Sequence, residues 1–218
     1  MKKLHTTILI LLVSFGFANA QYLQDVQGRP IMEISYTDIK GTPFLFGDWV
    51  NGVVILENGD TFSDVPLKYN VFDEKLYFKN PKKDELLEFV QPVKSFKFNE
   101  LKGAGVFLKG FPAIDKFNSE TFYDVLFDGK VKLLNKQYKT LLEVRPYNSA
   151  TIEKSFVDHN DYYLVKGSKI ERIRNSKKDF LDIFSDKSAQ IDAFIKNEKI
   201  DFKNNDDLVK VFNYYDSL

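Results

Sequence analysis

Three glycine turns between short apolar runs constrain this chain more than any other feature of its 218 residues. Val53 to Leu56 runs into Asn58-Gly59, and Thr61-Phe62 resumes. Tyr123, Val125 and Phe127 alternate into Asp128-Gly129, and Val131 to Leu134 returns. Tyr162 to Val165 meets Lys166-Gly167, followed by Ile170 to Ile173. Such dipeptides favour tight hairpins because glycine and asparagine tolerate positive φ, and Asn58-Gly59 predicts a type I′ turn. Between about Trp49 and Ile173 the further runs Leu76-Tyr77-Phe78, Leu86 to Val90, Phe96 to Phe98, Val106 to Leu108 and Leu141 to Arg145 all have strand length. No long helical period separates them, which excludes βαβ units and points to an antiparallel meander, sandwich or barrel. Val65, Leu67, Tyr69 and Val71 alternate with polar residues, and Pro66 among them marks an edge or a bulge.

After Ser176 the period changes. Ser176 followed by Asp179 resembles a capping box, and Phe180, Leu181, Ile183 and Phe184 make a helical face. Ile191, Phe194 and Ile195 suit a second helix. Asn204 caps a third, with Asp206 and Asp207 in its first turn and Leu208, Val211, Phe212 and Tyr215 at core spacing. The expected fold class is therefore α+β and β-rich: strands over about 49–173, then about three short C-terminal helices over about 176–216. No linker of proline, glycine or serine divides residues 21–218, so they are read as a single domain.

Residues 1–20 have the layout of a signal peptide. Lys2 and Lys3 open it, an apolar run from Ile8 to Phe17 follows, and Ala18-Asn19-Ala20 places small residues where a signal peptidase cuts. The run is too short to span a bilayer, which takes about 20 residues. Cleavage is expected before Gln21, with release to the periplasm or the outside. The chain has no cysteine, so it holds no disulfide, no thiol nucleophile, no cysteine zinc site and no cysteine to carry a lipoprotein anchor.

Charge and composition narrow the partners. Removing the two leader lysines from 31 basic and 31 acidic residues leaves a formal charge of −2, which argues against nucleic acid and against an anionic membrane surface. The 21 Phe, 11 Tyr and single Trp fit half-buried pleated surfaces. No cofactor is implied.

The Gly41-Thr42-Pro43-Phe44-Leu45 start, the hairpin from Trp49 to Leu67 and the closing Asp207-Leu208 and Tyr214-Tyr215 resemble uncharacterised exported proteins of Bacteroidota. That resemblance implies an envelope or extracellular location and carries over no active-site residue.

Candidate chemistry is sparse. His159, in Asp158-His159-Asn160-Asp161, is the only histidine after the leader and so the only candidate base for a Ser-His-Asp arrangement. No Gly-x-Ser-x-Gly elbow names a nucleophile, and the segment reads as a polar turn before the Tyr162 strand. Asp158, Asn160 and Asp161 offer oxygen ligands to calcium, but Tyr163 and Lys169 stand where an EF-hand needs glycine and an acid. Asp73-Glu74 and Asp84-Glu85 are adjacent acids at expected turns and read as solvated. Gly103-Ala104-Gly105 lacks the context of a phosphate loop. Arg172, Arg174, Lys177 and Lys178 form a basic cluster at a strand-to-helix junction.

The strongest surface candidates are Phe44, Phe46 and Trp49, beside Pro43 and Gly47. They suit either a stacking platform or a plug for the end of the sheet. The leading expectation is a non-catalytic exported domain that binds a protein or glycan partner. The alternatives are a carrier of an apolar ligand in a barrel cavity and a hydrolase built on carboxylates or His159.

Overall fold

Alternating strands joined by hairpins build one curled sheet in the computed structural model, which describes residues 28–31, 36–83, 85–99, 105–147 and 151–218. Residues 1–20, read from the sequence as a signal peptide, lie outside these residues, as do Asp84 and Gly103-Ala104. The strands are β1 (Gly28–Pro30), β2 (Ile39–Lys40), β3 (Val50–Leu56), β4 (Thr61–Asn70), β5 (Lys75–Lys79), β6 (Leu86–Phe89), β7 (Val93–Phe98), β8 (Val106–Leu108), β9 (Tyr123–Asp128), β10 (Lys132–Val144), β11 (Glu153–Lys166) and β12 (Lys169–Ile173). Their order is β1-β6-β5-β4-β3-β7-β8-β9-β10-β11-β12, with β2 added on β11. The pairing of β2 with β11 is parallel, and every other ladder is antiparallel. The order is a linear path, so the sheet curls without closing into a barrel.

Two local features differ from expectation and a third, the bulge beside Pro66, agrees with it, each for a visible reason. At Asn58-Gly59 only the glycine has positive φ, at 93°. The Asn58 Oδ1 instead accepts the Asp60 amide at 3.0 Å, so side-chain chemistry sets the turn rather than a type I′ backbone. Pro66 lies in an interior strand, paired with Asn51 beside a bulge between Gly52/Val54 and Val65/Phe62, and Asp64 in the bulge has φ 56°. Residues 158–161 are not a turn. They continue β11, which pairs with β10 without a break from Lys132↔Val165 to Val144↔Glu153. Likewise the expected strands at Val131 to Leu134 and Leu141 to Arg145 merge into one long strand, β10, which starts at Lys132 and ends at Val144.

The three helices are α1 (Lys177–Ile183), α2 (Ser188–Glu198) and α3 (Asn205–Asp216), with a 3-10 turn at Ser185–Lys187. Ser176 Oγ accepts the Asp179 amide at 3.2 Å and Asn204 Oδ1 accepts the Asp206 amide at 2.9 Å, the two caps expected from sequence. Lys199, in the left-handed region at φ 53°, ends α2.

Period-two alternation divides β10 and β11 between two cores. Leu133, Tyr162 and Leu164 face the helices and meet Phe180, Phe184, Ile191, Leu208, Val211 and Phe212. Leu134, Tyr163 and Val165 face the other way, against Tyr123 and Phe117. A third cluster fills the curl of β3 to β8 with Leu67, Tyr69, Phe78, Phe96, Phe98, Phe107 and Phe122. Its rings pack mostly edge to face, Tyr69 touching Phe96, Phe107 and Phe122 at centroid distances of 5.2, 5.8 and 6.2 Å.

Candidate functional site

β10 is longer than its neighbour β9, which covers only Lys132 to Asn135. The curl brings the turn between β4 and β5 into the space beyond: the Lys139 amide donates to the Val71 carbonyl at 3.4 Å. Between this turn, β10 and the loop after β8 lies a cleft of about 400 Å3, walled by Phe72, Glu74, Lys116, Phe117, Tyr138 and Lys139 among others.

The β4–β5 turn is built by Asn70. Its Oδ1 accepts the amides of Phe72 and Asp73, both at 3.0 Å, and its Nδ2 donates to Asp73 at 3.3 Å. The turn then places Glu74 at φ 59°, a conformation disfavoured for a residue with Cβ by about 1–2 kcal/mol. Two partners hold it there. Tyr69 donates its hydroxyl to one carboxylate oxygen at 2.8 Å, and Lys136 donates to the other at 2.6 Å. Lys136, on β10, is fully buried and also reaches the Phe122 carbonyl at 3.1 Å. Burial pulls the Lys136 ammonium below the ordinary lysine range, opposed by the Glu74 charge and hydrogen bond. Burial, reinforced by the Glu74 carboxylate, pushes the Tyr69 phenol well up. With three oxygen acceptors, the Tyr69 hydroxyl at 3.4 Å being the third, and no exposure, Lys136 is a buried ion-pair partner and not an accessible nucleophile.

The opposite wall is a tight turn from Ile114 to Phe117, closed by reciprocal backbone bonds of 3.1 and 2.9 Å. Asp115 takes φ 53° in it and accepts the Tyr163 hydroxyl at 2.9 Å. Lys116 then lies over the Tyr138 ring at 3.9 Å and within 5.5 Å of Phe117. Tyr138 also stacks on His159 at 4.8 Å and donates to Asp161 at 3.1 Å. On the lip, Phe72 is 37% exposed and meets Phe156 edge to face at 5.3 Å.

The other residues singled out in the sequence are scattered. Phe44, Phe46 and Trp49 are half-buried and none lines the cleft. Phe46 packs edge to face on Phe98 at 5.3 Å, while Phe44 and Trp49 flank the Lys68 ammonium at 4.7 and 5.4 Å. His159 shares a hydrogen bond of 2.8 Å with Thr140, and no serine is among its hydrogen-bond partners in the described residues. Asp158 pairs with Lys139 at 3.2 Å, Asn160 with Asn135, and Asp161 with Arg172. Alternation sends these oxygens to opposite faces of the sheet, and no group of three metal-ligating side chains occurs among the described residues. In the basic cluster, Arg172 is paired with Asp161 and Lys177 with Asp192, and Arg172 and Arg174 line a separate cleft of about 580 Å3.

Sequence reasoning passed over Lys136 and misjudged Glu74 as a solvated turn acid. A signal for Lys136 existed: it shares the strand face of Leu134 and Tyr138, so alternation places a lysine on a buried stripe. Glu74 carried no such signal, because its partner is 62 residues away.

No family model, curated protein or solved structure matches the chain.

Proposed function

We propose that this chain is an exported domain that binds a glycan, without catalysis, in the cleft between the β4–β5 turn and β10. The observation that carries this reading is the lip of the cleft. There an exposed Phe72 ring lines the same cleft as the polar residues Glu74, Asn118, Thr121 and Lys139. Sugar recognition combines an aromatic face for the C–H side of a pyranose with side chains that hydrogen-bond its hydroxyls.

Hydrolysis is the weaker reading. The Glu74 carboxylate is committed to Tyr69 and Lys136, and Glu120 is paired with Lys109 at 3.0 Å. Two carboxylates serving glycoside chemistry need one free to act as acid and one as base or nucleophile. The carrier reading is weaker too, because rings of Tyr69, Phe96, Phe107 and Phe122 fill the curl of the sheet.

Titration calorimetry against a panel of neutral and acidic oligosaccharides tests the proposal. Binding by at least one class is expected, with affinity reduced about tenfold by Phe72→Ala, a loss equal to roughly 1.4 kcal/mol. A ligand whose affinity is unchanged in Phe72→Ala places binding elsewhere. Binding of an envelope protein through the same cleft, with no saccharide bound, would replace the glycan by a protein partner.

A further inference from the structure

Of the charged side chains that line the cleft, all but one are ion-paired. Glu74 is matched by Lys136, Glu120 by Lys109 and Lys139 by Asp158. Lys116 has no carboxylate within ion-pair distance among the described residues, and its contacts are the rings of Tyr138 and Phe117. Its sequence neighbour Asp115 is engaged by the Tyr163 hydroxyl. Thus the wall presents one exposed ammonium, fixed by an aromatic face and a short turn, with no anion among the described residues to satisfy it.

From this we infer that the ligand is an acidic saccharide, whose carboxylate or sulfate meets Lys116 while the sugar ring lies against Phe72. The inference rests on the reading of the cleft as a glycan site and adds the charge of its occupant. A neutral sugar offers the Lys116 ammonium only uncharged hydroxyl acceptors, while an anion at the same position adds a charge-assisted hydrogen bond, about twice as strong. The Lys116 ammonium already sits over the Tyr138 ring, so less side-chain freedom remains to be lost on binding.

The test compares three oligosaccharides of equal length by calorimetry: one neutral, one uronic acid and one sulfated. Each is titrated into the full chain and into Lys116→Gln, which keeps a hydrogen-bond donor on a somewhat shorter side chain but removes its charge. The expected result at low ionic strength is a preference for an acidic ligand over the neutral one of roughly fivefold, the scale of one exposed ion pair. That preference is absent in Lys116→Gln and shrinks at high salt, where the screening length falls to about 3 Å. Whichever anion shows the preference, uronate or sulfate, identifies the source of the charge.

Equal affinity for neutral and acidic ligands overturns the inference and leaves the glycan site standing. A preference that survives Lys116→Gln overturns the role of Lys116. Failure of all three ligands to bind removes the glycan reading itself. Lys116 is exposed, so a melting curve matching that of the parent chain shows that the variant is folded.

Discussion

Glu74 sits in left-handed backbone space because its carboxylate answers a buried lysine, and the two residues should behave as one unit. Losing one member of a buried ion pair leaves the other unpaired, at a cost of about 3–5 kcal/mol in full burial. The Glu74 side chain is 29% exposed, which reduces the expected loss for Glu74→Gln to roughly 2–3 kcal/mol. Adding Lys136→Met removes the stranded ammonium, so the double variant should be more stable than Glu74→Gln alone. Urea denaturation of the parent, both singles and the double measures the coupling. Additive losses would mean that the pair is not what holds the turn.

Asp124 offers a second test at this scale, through pH. It is buried on β9, and burial pushes its carboxyl up to about 6 even though the Gly105 amide donates to it at 2.7 Å. It lies opposite Asn135 in the ladder, whose Oδ1 is buried without a partner. A protonated Asp124 therefore stands next to an acceptor in need of a donor. An acid whose value is raised by folding binds its proton more tightly in the folded chain. Its contribution is complete below about pH 4 and is lost as pH rises through about 6, by of order 3 kcal/mol. Asp124→Asn should leave stability at pH 4 little changed and raise it relative to the parent between pH 5 and 7.5. Melting curves at several pH values check this. A parent-to-variant difference that does not vary with pH would show that Asp124 keeps its charge.

Among the elements, the capped helices and the hairpins could be read locally, because their signals lie within a few residues. Ser176 and Asn204 cap as their spacing predicts, and Asp128-Gly129 and Lys166-Gly167 join neighbouring strands. The glycine at 129 has a tertiary reason as well: a Cβ there would meet Asp216 at 2.1 Å. Strand length was less legible. His159 and its polar neighbours read as a turn, yet they are strand, since β10 gives each of them a partner in register. Polarity there reflects the two exposed or cleft-facing sides of a long hairpin, not a break in it.

The helices also complete a core, and this makes their removal informative. Leu133, Tyr162 and Leu164 are buried by Phe180, Phe184, Ile191, Leu208, Val211 and Phe212. A chain ending at Asn175 would expose that sheet face as a contiguous apolar patch. It should bind a hydrophobic dye and lose a cooperative thermal transition. Retention of a sharp transition without dye binding would mean that the sheet is an independent folding unit.

At the scale of the molecule, the amino-acid sequence by itself determined the class of the fold: strands with period two over residues 49–173, then three amphipathic helices. These follow from side-chain spacing, turn chemistry and caps, all of which act over a few residues. The candidate cleft was decided only by tertiary structure. It needs the curl that carries Val71 to Lys139, and it needs Lys116, Glu74 and Lys136 to converge from a loop, a turn and a strand that are distant in the chain. Ion pairing is short-ranged and indifferent to sequence separation, so composition could show that the charges balance but not which lysine was left without a partner.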